Sequence, residues 1–352
     1  MKRQFNTDCE GPITKNDIAF ELSEEFIPNG GDFFAKISKY DDFLADIAKK
    51  PGYKAGDTLK LILPFFKAYG VTEFGIKQFS SKNLIIIPGA DIAINYICKI
   101  MPSFIISTSY CQYINALCEA IGFPYENTYC TQLPLDSYRI SQGEINRIKT
   151  FHKEILSLPD INIPMNAALE SELDHSSLMS IEQLNKIFWE EMPNMEIGRL
   201  LDEINPIGGI EKARAIRQSC ENTGIELSNV MYIGDSITDE VALKMVKEAG
   251  GIAISFNGNR YAIRSANIAC ISPNALILAF LAQYFDEGKD IFELATEWES
   301  RKSNLKWIDG IPKFSLDDTI ISVVNTQNIN VLINKSESYR KTIRGERIGQ
   351  LG

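Results

Sequence analysis

Apolar and polar positions follow two different periods along this chain, and the changes between them divide it. Lys2 to Thr7 reads as a short polar strand, and Gly11-Pro12 behind it forces a turn. From Ile18 the apolar residues recur at helical spacing (Ile18, Phe20, Leu22, Phe26) until Asn29-Gly30-Gly31 interrupts them. Phe34, Ile37, Phe43 and Ile47 predict a second helix over 33–49, ended by Pro51-Gly52, and 57–69 predicts a third. Residues 15–83 therefore read as a mostly helical module with its own small core.

The register changes at Leu84-Ile85-Ile86-Ile87, after which Pro88-Gly89-Ala90 opens a helix to about Lys99. A buried strand over 103–107 follows, then a helix over 111–121 closed by Gly122, and a short strand over 128–131. Residues 132–207 form a long insertion in which Ser141 to Glu144 and Ser180 to Gln183 predict two capping boxes. Gly208-Gly209 ends it, and a helix carrying Lys212, Ala215 and Ile216 begins. Val230 to Ile233 is an apolar strand, Gly234 allows a turn, and Asp235 stands at the strand's carboxyl end. Thr238-Asp239 opens the next helix, Ile252 to Ser255 is a further strand, and Ile268 to Ile271 is expected as the edge strand. Helices follow over 274–301, strand-like residues over 320–333, and a basic terminal helix over 336–344. Strands alternating with helices in this way argue for βαβ units, an α/β fold with a parallel sheet.

Composition narrows the function classes. The chain has 352 residues, enough for two domains and a sizeable core, with 45% apolar and 23% charged residues. Its net charge of −10 argues against a general nucleic-acid binder, whose footprint is basic. A small anionic substrate stays open, because a metal ion supplies local positive charge. Seven cysteines without a C-x-x-C pair and two histidines (His152, His175) make a disulfide framework or a zinc site a poor reading. The start has no apolar signal core, and the longest greasy run is too short to span a bilayer, so a cytoplasmic protein without membrane insertion is expected.

The chemistry concentrates at strand ends. Asp8 and Glu10 stand two apart, so a strand would point both the same way. Asp8, Ser107 and Asp235 stand at strand ends from well-separated segments, with Lys212 at a helix start just before the last, and ligands of open α/β sheets bind outside the carboxyl ends of the strands. A carboxylate nucleophile, a hydroxyl donor, a cation and a second acidic cluster are the parts of phosphoryl transfer. Each has a plainer reading. Asp8 with Glu10 is also a solvated turn, Asp235 and Asp239 also cap a helix, and Lys212 is also a surface lysine. Thr108 or Ser109 competes with Ser107 for the site, and Asp17 reads as a helix N-cap. His152 and His175 read as structural or solvent-facing. Arg260 and Arg264 read as decoration of a helix, with one of them able to reach a phosphate. Arg340, Lys341, Arg344 and Arg347 read as a solvated face or frayed tail.

At this point the sequence resembles the haloacid dehalogenase-like hydrolase superfamily, in its phosphoserine phosphatase-like branch. The motifs stand in the family's order: D-x-E-G at Asp8–Gly11, a strand ending in Ser107, Lys212, and G-D-S-x-x-D at Gly234–Asp239. The resemblance implies a Rossmann-like core over 1–14 and 84–285 with a helical insertion at about 132–207. It also implies a helical cap over 15–83, leaving 286–352 as a C-terminal extension. It implies that Asp8 attacks phosphorus to form an aspartyl-phosphate and that Glu10 acts as acid and base. Ser107 or Thr108 and Lys212 would hold the phosphate, and Asp8, the Glu10 carbonyl, Asp235 and Asp239 would hold Mg2+. Glu10 stands where most of the superfamily carries Asp, and a phosphoserine–homoserine phosphotransferase shares that feature. The expected activity is a magnesium-dependent phosphomonoesterase acting on a small phosphorylated metabolite. The alternatives are a phosphotransferase to a small alcohol, or a catalytically weak accessory subunit, such as one of an archaeal energy-converting hydrogenase. Substrate identity and oligomeric state stay open.

Overall fold

The structure, a computed structural model, describes residues 2–164 and 167–349. Its centre is a seven-stranded sheet: β1 (Gln4–Thr7), β2 (Ser103–Tyr110), β3 (Thr128–Thr131), β4 (Val230–Gly234), β5 (Ile252–Phe256), β6 (Ile268–Ile271) and β7 (Ile320–Val323). The spatial order is β3-β2-β1-β4-β5-β6-β7. The first six strands in this order run parallel, and β7 is antiparallel to β6. The expected edge strand, 268–271, is therefore internal, because the strand-like residues after 320 add one more strand outside it. β1 lies between β2 and β4, with Asn6 opposite Phe104 on one side and Tyr232 on the other. Strand order reverses there, which opens a crevice at the carboxyl ends of β1 and β4.

The strands are buried on both faces, as a parallel sheet requires. Ile105, Met231 and Ile233 face one apolar layer, which includes the helices Ala90–Ile100 and Leu276–Asp286. Phe104, Ile106 and Tyr232 face the helices Ile210–Thr223 and Glu240–Glu248. The polar character of β1 has a partner on that second face. Gln4 and Asn6 donate to the Ser219 hydroxyl at 2.8 and 3.1 Å, and Thr223 donates to Gln4 at 2.6 Å. Buried amides are tolerable because they are satisfied. These bonds also seat the helix that carries Lys212.

Residues 15–83 contain the helices Ile18–Phe26, Gly30–Asp42, Thr58–Leu61, Leu63–Ala68 and Glu73–Asn83. The helix expected over 33–49 begins earlier, at Gly30, and its last turn widens so that Ala48 N–H bonds Phe43 C=O. The one expected over 57–69 is broken at Ile62, because Pro64 has no N–H for the preceding turn and opens a new helix instead. Within 132–207 the Ser141 capping box is present and opens the helix Gln142–Ser157. Ser180, in contrast, lies inside the helix His175–Asn185, which Asp174 caps by accepting Ser177 N–H at 2.7 Å. The two helical regions pack together: Trp189 donates to the Tyr40 hydroxyl, and Phe188 packs against both Tyr40 and Phe65. His152 is buried between Phe33 and Tyr69 and bonds the Tyr69 hydroxyl, a structural position. Among the described residues, no helix is long and apolar enough to cross a membrane.

Candidate active site

Asp8 follows β1 directly, and its N–H bonds the Ile233 carbonyl of β4 at 2.8 Å. The motif behind it depends on Gly11. At φ 101° a side chain is strained, and a Cβ there would fall 2.2 Å from the Asp235 carboxyl carbon. Gly11 thus lets the first turn close onto the end of β4. Asp8 Oδ1 accepts Cys9 N–H at 2.7 Å, and its Oδ2 meets Lys212 Nζ at 2.6 Å. The same ammonium meets Asp239 Oδ1 at 2.7 Å. Asp239 is further held by the Tyr232 hydroxyl and by the N–H groups of Asp235 and Ser236. It is therefore a cap and part of the site at once.

Burial governs the charges here. It pushes Asp8 up to about 8, with Lys212 only partly offsetting it and Asp239 and Asp235 adding to it. Burial alone would lower Lys212, but Asp239 and Asp8 outweigh it and hold the ammonium charged. Burial would likewise raise Asp239, and Lys212 with the Tyr232 hydroxyl reverses that. Asp8, Asp235 and Asp239 each offer a carboxylate oxygen within 4.8 Å of the others, an all-oxygen set suited to a hard divalent cation such as Mg2+. The residues present fit that ion.

Glu10 lines the same cavity from the turn behind Asp8. Its carboxylate accepts Ile18 N–H at 2.9 Å, and burial, with Asp17 adding to it, holds it well above the usual carboxylate range. Asp17 caps the helix Ile18–Phe26 through Phe20 N–H, as its sequence position suggested, yet it also lines the site. Ser107 is not a strand end. β2 runs on to Tyr110, with its pairing to β3 irregular between Ile106 and Tyr110. Ser107 Oγ accepts Ser109 N–H at 3.2 Å, which leaves its own O–H to donate. Thr108 donates to the Ile207 carbonyl instead. A cavity of about 100 Å³ connects these groups, with Asp41 and Thr58 on the helical side.

The basic terminal run divides: Lys341 and Arg347 face solvent as expected, and the other two residues do not. Arg340 and Arg344 are neither solvated nor frayed: their side chains are about 5% exposed or less, and both pair with Asp235 Oδ2. They sit on the helix Ile329–Arg344, which begins seven residues before the expected 336. A signal for them exists in the chain. Leu332, Ser336, Arg340 and Arg344 recur every fourth residue, so they share the docked face. Arg260 lies over the Tyr261 ring, and Arg264 is exposed.

Comparison with known proteins agrees with this architecture. Residues 95–275 match the family model of the haloacid dehalogenase-like hydrolases. The structure is similar to that of gene product AF1437 from Archaeoglobus fulgidus, at 28% identity and a TM-score of 0.82, over 100% of this chain and 99% of that one. Looser matches are phosphoserine phosphatase in apo form (11% identity, TM-score 0.48, 81% of this chain and 99% of that) and a phospho-aspartyl intermediate analogue of phosphoserine phosphatase (13%, 0.44, 76% and 92%). No curated protein matches. With just over half its length covered by the family model, this chain belongs to the haloacid dehalogenase-like hydrolases.

Proposed function

We propose that the protein is a magnesium-dependent phosphomonoesterase that acts on a small phosphorylated metabolite through Asp8. The observation that carries this reading is the meeting of Asp8, Asp235 and Asp239 around Lys212 at the reversal point of the sheet. In this reading an Asp8 oxygen forms a bond to phosphorus while the bond from phosphorus to the substrate oxygen breaks. The departing oxygen takes the proton held by Glu10. Glu10, now ionised, takes a proton from water, whose oxygen attacks phosphorus and releases Asp8 and inorganic phosphate. Lys212 neutralises charge and fixes Asp8, and the Ser107 hydroxyl donates to a phosphoryl oxygen. Mg2+ held by Asp8, Asp235 and Asp239 would neutralise developing phosphoryl charge and favour the ionised nucleophile. Residues 15–83 serve as the cap over this site, 132–207 as a helical insertion braced against it, and 286–352 as the C-terminal extension.

The pairing of Asp235 with Arg340 and Arg344 favours a second reading, a chain that keeps the fold with catalysis suppressed. Hydrolysis of p-nitrophenyl phosphate, with and without MgCl2, by wild type and Asp8→Asn separates the two. Magnesium-dependent turnover that disappears in Asp8→Asn supports the phosphatase. If wild type is inert and beryllofluoride also fails to attach at Asp8, the suppressed reading takes its place.

A further inference from the structure

The second pair of cations at the site calls for a physical account. With all three ionised, the state in which they would hold a metal, Asp8, Asp235 and Asp239 carry three negative charges, and Lys212 answers one of them. The deficit of two equals the charge of one divalent cation. Arg340 and Arg344 supply those same two charges, and both place them on Asp235. Arg340 also donates to the Asp235 main-chain carbonyl at 3.1 Å.

The way this helix is attached separates its two halves. Its first turns are anchored by apolar packing, with Leu332 and Ile333 against Ile263, Ala269 and Ile320. From Ser336 onward its contacts are mostly polar. Ser336 donates to Gly258 C=O, Glu337 accepts Arg260 N–H, and Arg344 donates to the carbonyls of Lys15 and Asn16 behind the first motif. Just beyond its end, Arg347 pairs with Glu24 and Asp32 of residues 15–83. Charge rather than buried apolar area holds this half, and charge is what a metal ion competes for. The cavity left beside the arginines, about 100 Å³, is also well below the roughly 300 Å³ at which small-molecule pockets begin.

We propose that the C-terminal helix is a built-in competitor for the metal: Arg340 and Arg344 occupy Asp235 as a tethered substitute for a divalent cation, and metal binding requires that end of the helix to withdraw. The inference rests on the reading of Asp235 as a metal ligand. Because Arg344 and Arg347 also hold the backbone and side chains of residues 15–32, withdrawal would loosen the cap and widen the cavity in the same event.

The test is Mn2+ binding, followed by the electron paramagnetic resonance of the free ion, in wild type, Arg340→Gln/Arg344→Gln and Arg340→Lys/Arg344→Lys. Removing two adjacent positive charges is expected to tighten binding by about tenfold or more, while the lysine pair stays near wild type. Equal affinity in wild type and the glutamine pair overturns the proposal and leaves the metal site standing. Absence of Mn2+ binding in all three removes the metal reading and the proposal with it. Wild type alone gives an independent check should the glutamine pair fail to fold. Hydrogen exchange in saturating MgCl2 is expected to accelerate about tenfold or more over 338–347 while 329–334 stays protected. Unchanged protection over 338–347 in metal-saturated protein overturns the proposal.

Discussion

Two sets of cations meet the same acidic cluster, and they are delivered in opposite ways. Lys212 comes from a helix packed against the centre of the sheet, is fully buried, and bridges two carboxylates at 2.6 and 2.7 Å. Arg340 and Arg344 come from the chain's far end, on a helix whose apolar anchor is limited to its first turns. The first cation is part of the fold's foundation, and the second is a contact the fold is able to release. Similar charges thus differ in permanence because of the packing beneath them, not because of the ion pairs themselves.

The largest expected effect comes from removing the permanent partner. Lys212→Met leaves Asp8 and Asp239 facing each other in a dry site, and breaking a buried pair costs about 3–5 kcal/mol. Urea unfolding should show that loss in the main transition; a variant as stable as wild type would erase the distinction drawn above. Leu332→Ala attacks the releasable side. A deleted core side chain costs about 2 kcal/mol or more, here expected as faster hydrogen exchange confined to 329–344 with the global transition left in place. A matching fall in global stability would mean that the helix folds as one unit with the sheet. Ser219→Ala should cost about 1–3 kcal/mol by stranding the Asn6 amide N–H and removing one of the Gln4 bonds. Urea denaturation monitored by circular dichroism measures it.

A last test is a pH slope. Burial, with Asp42 and Asp57 adding and the Tyr53 hydroxyl opposing, pushes Asp41 up to about 7 from an ordinary 3.8. Between those values the folded chain keeps a proton that the unfolded chain has released. Its stability contribution is therefore full below 3.8 and is lost as pH rises through about 7. Melting temperatures across this window should fall with rising pH, and fall less in Asp41→Asn. An unchanged slope in the variant would assign the effect to other carboxyls.

The α/β class was legible because Val230 to Ile233, followed by Gly234, and Ile252 to Ile254, preceded by Gly250-Gly251, are continuous apolar runs, which parallel strands buried on both faces demand. Asp8, Lys212, Asp235 and Asp239 were legible as a set because each stands a few residues from a glycine near the end of a strand or the start of a helix. The extra strand Ile320–Val323 and the helix break at Pro64 were not fixed by local pattern: edge placement is a tertiary choice, and one proline serves equally as an interruption or a beginning. Arg340 and Arg344 escaped because a basic helix beside Lys341 and Arg347 has the composition of a wet surface. Their partner, Asp235, lies more than a hundred residues away. Spacing at every fourth residue named the face, but nothing local told what that face touches.

The amides of β1 also act as an index mark. A strand made wholly of apolar residues slides along its neighbours with little change in what it buries. Gln4 and Asn6 forbid this, because a slip of one residue would carry Asp8 about 3.3 Å along the sheet and turn both amides into the apolar layer. Ser219, about two helical turns beyond Lys212, is the notch they engage. Strand and helix are keyed to each other far from solvent, and the alignment of carboxylate with ammonium is settled before any ligand arrives.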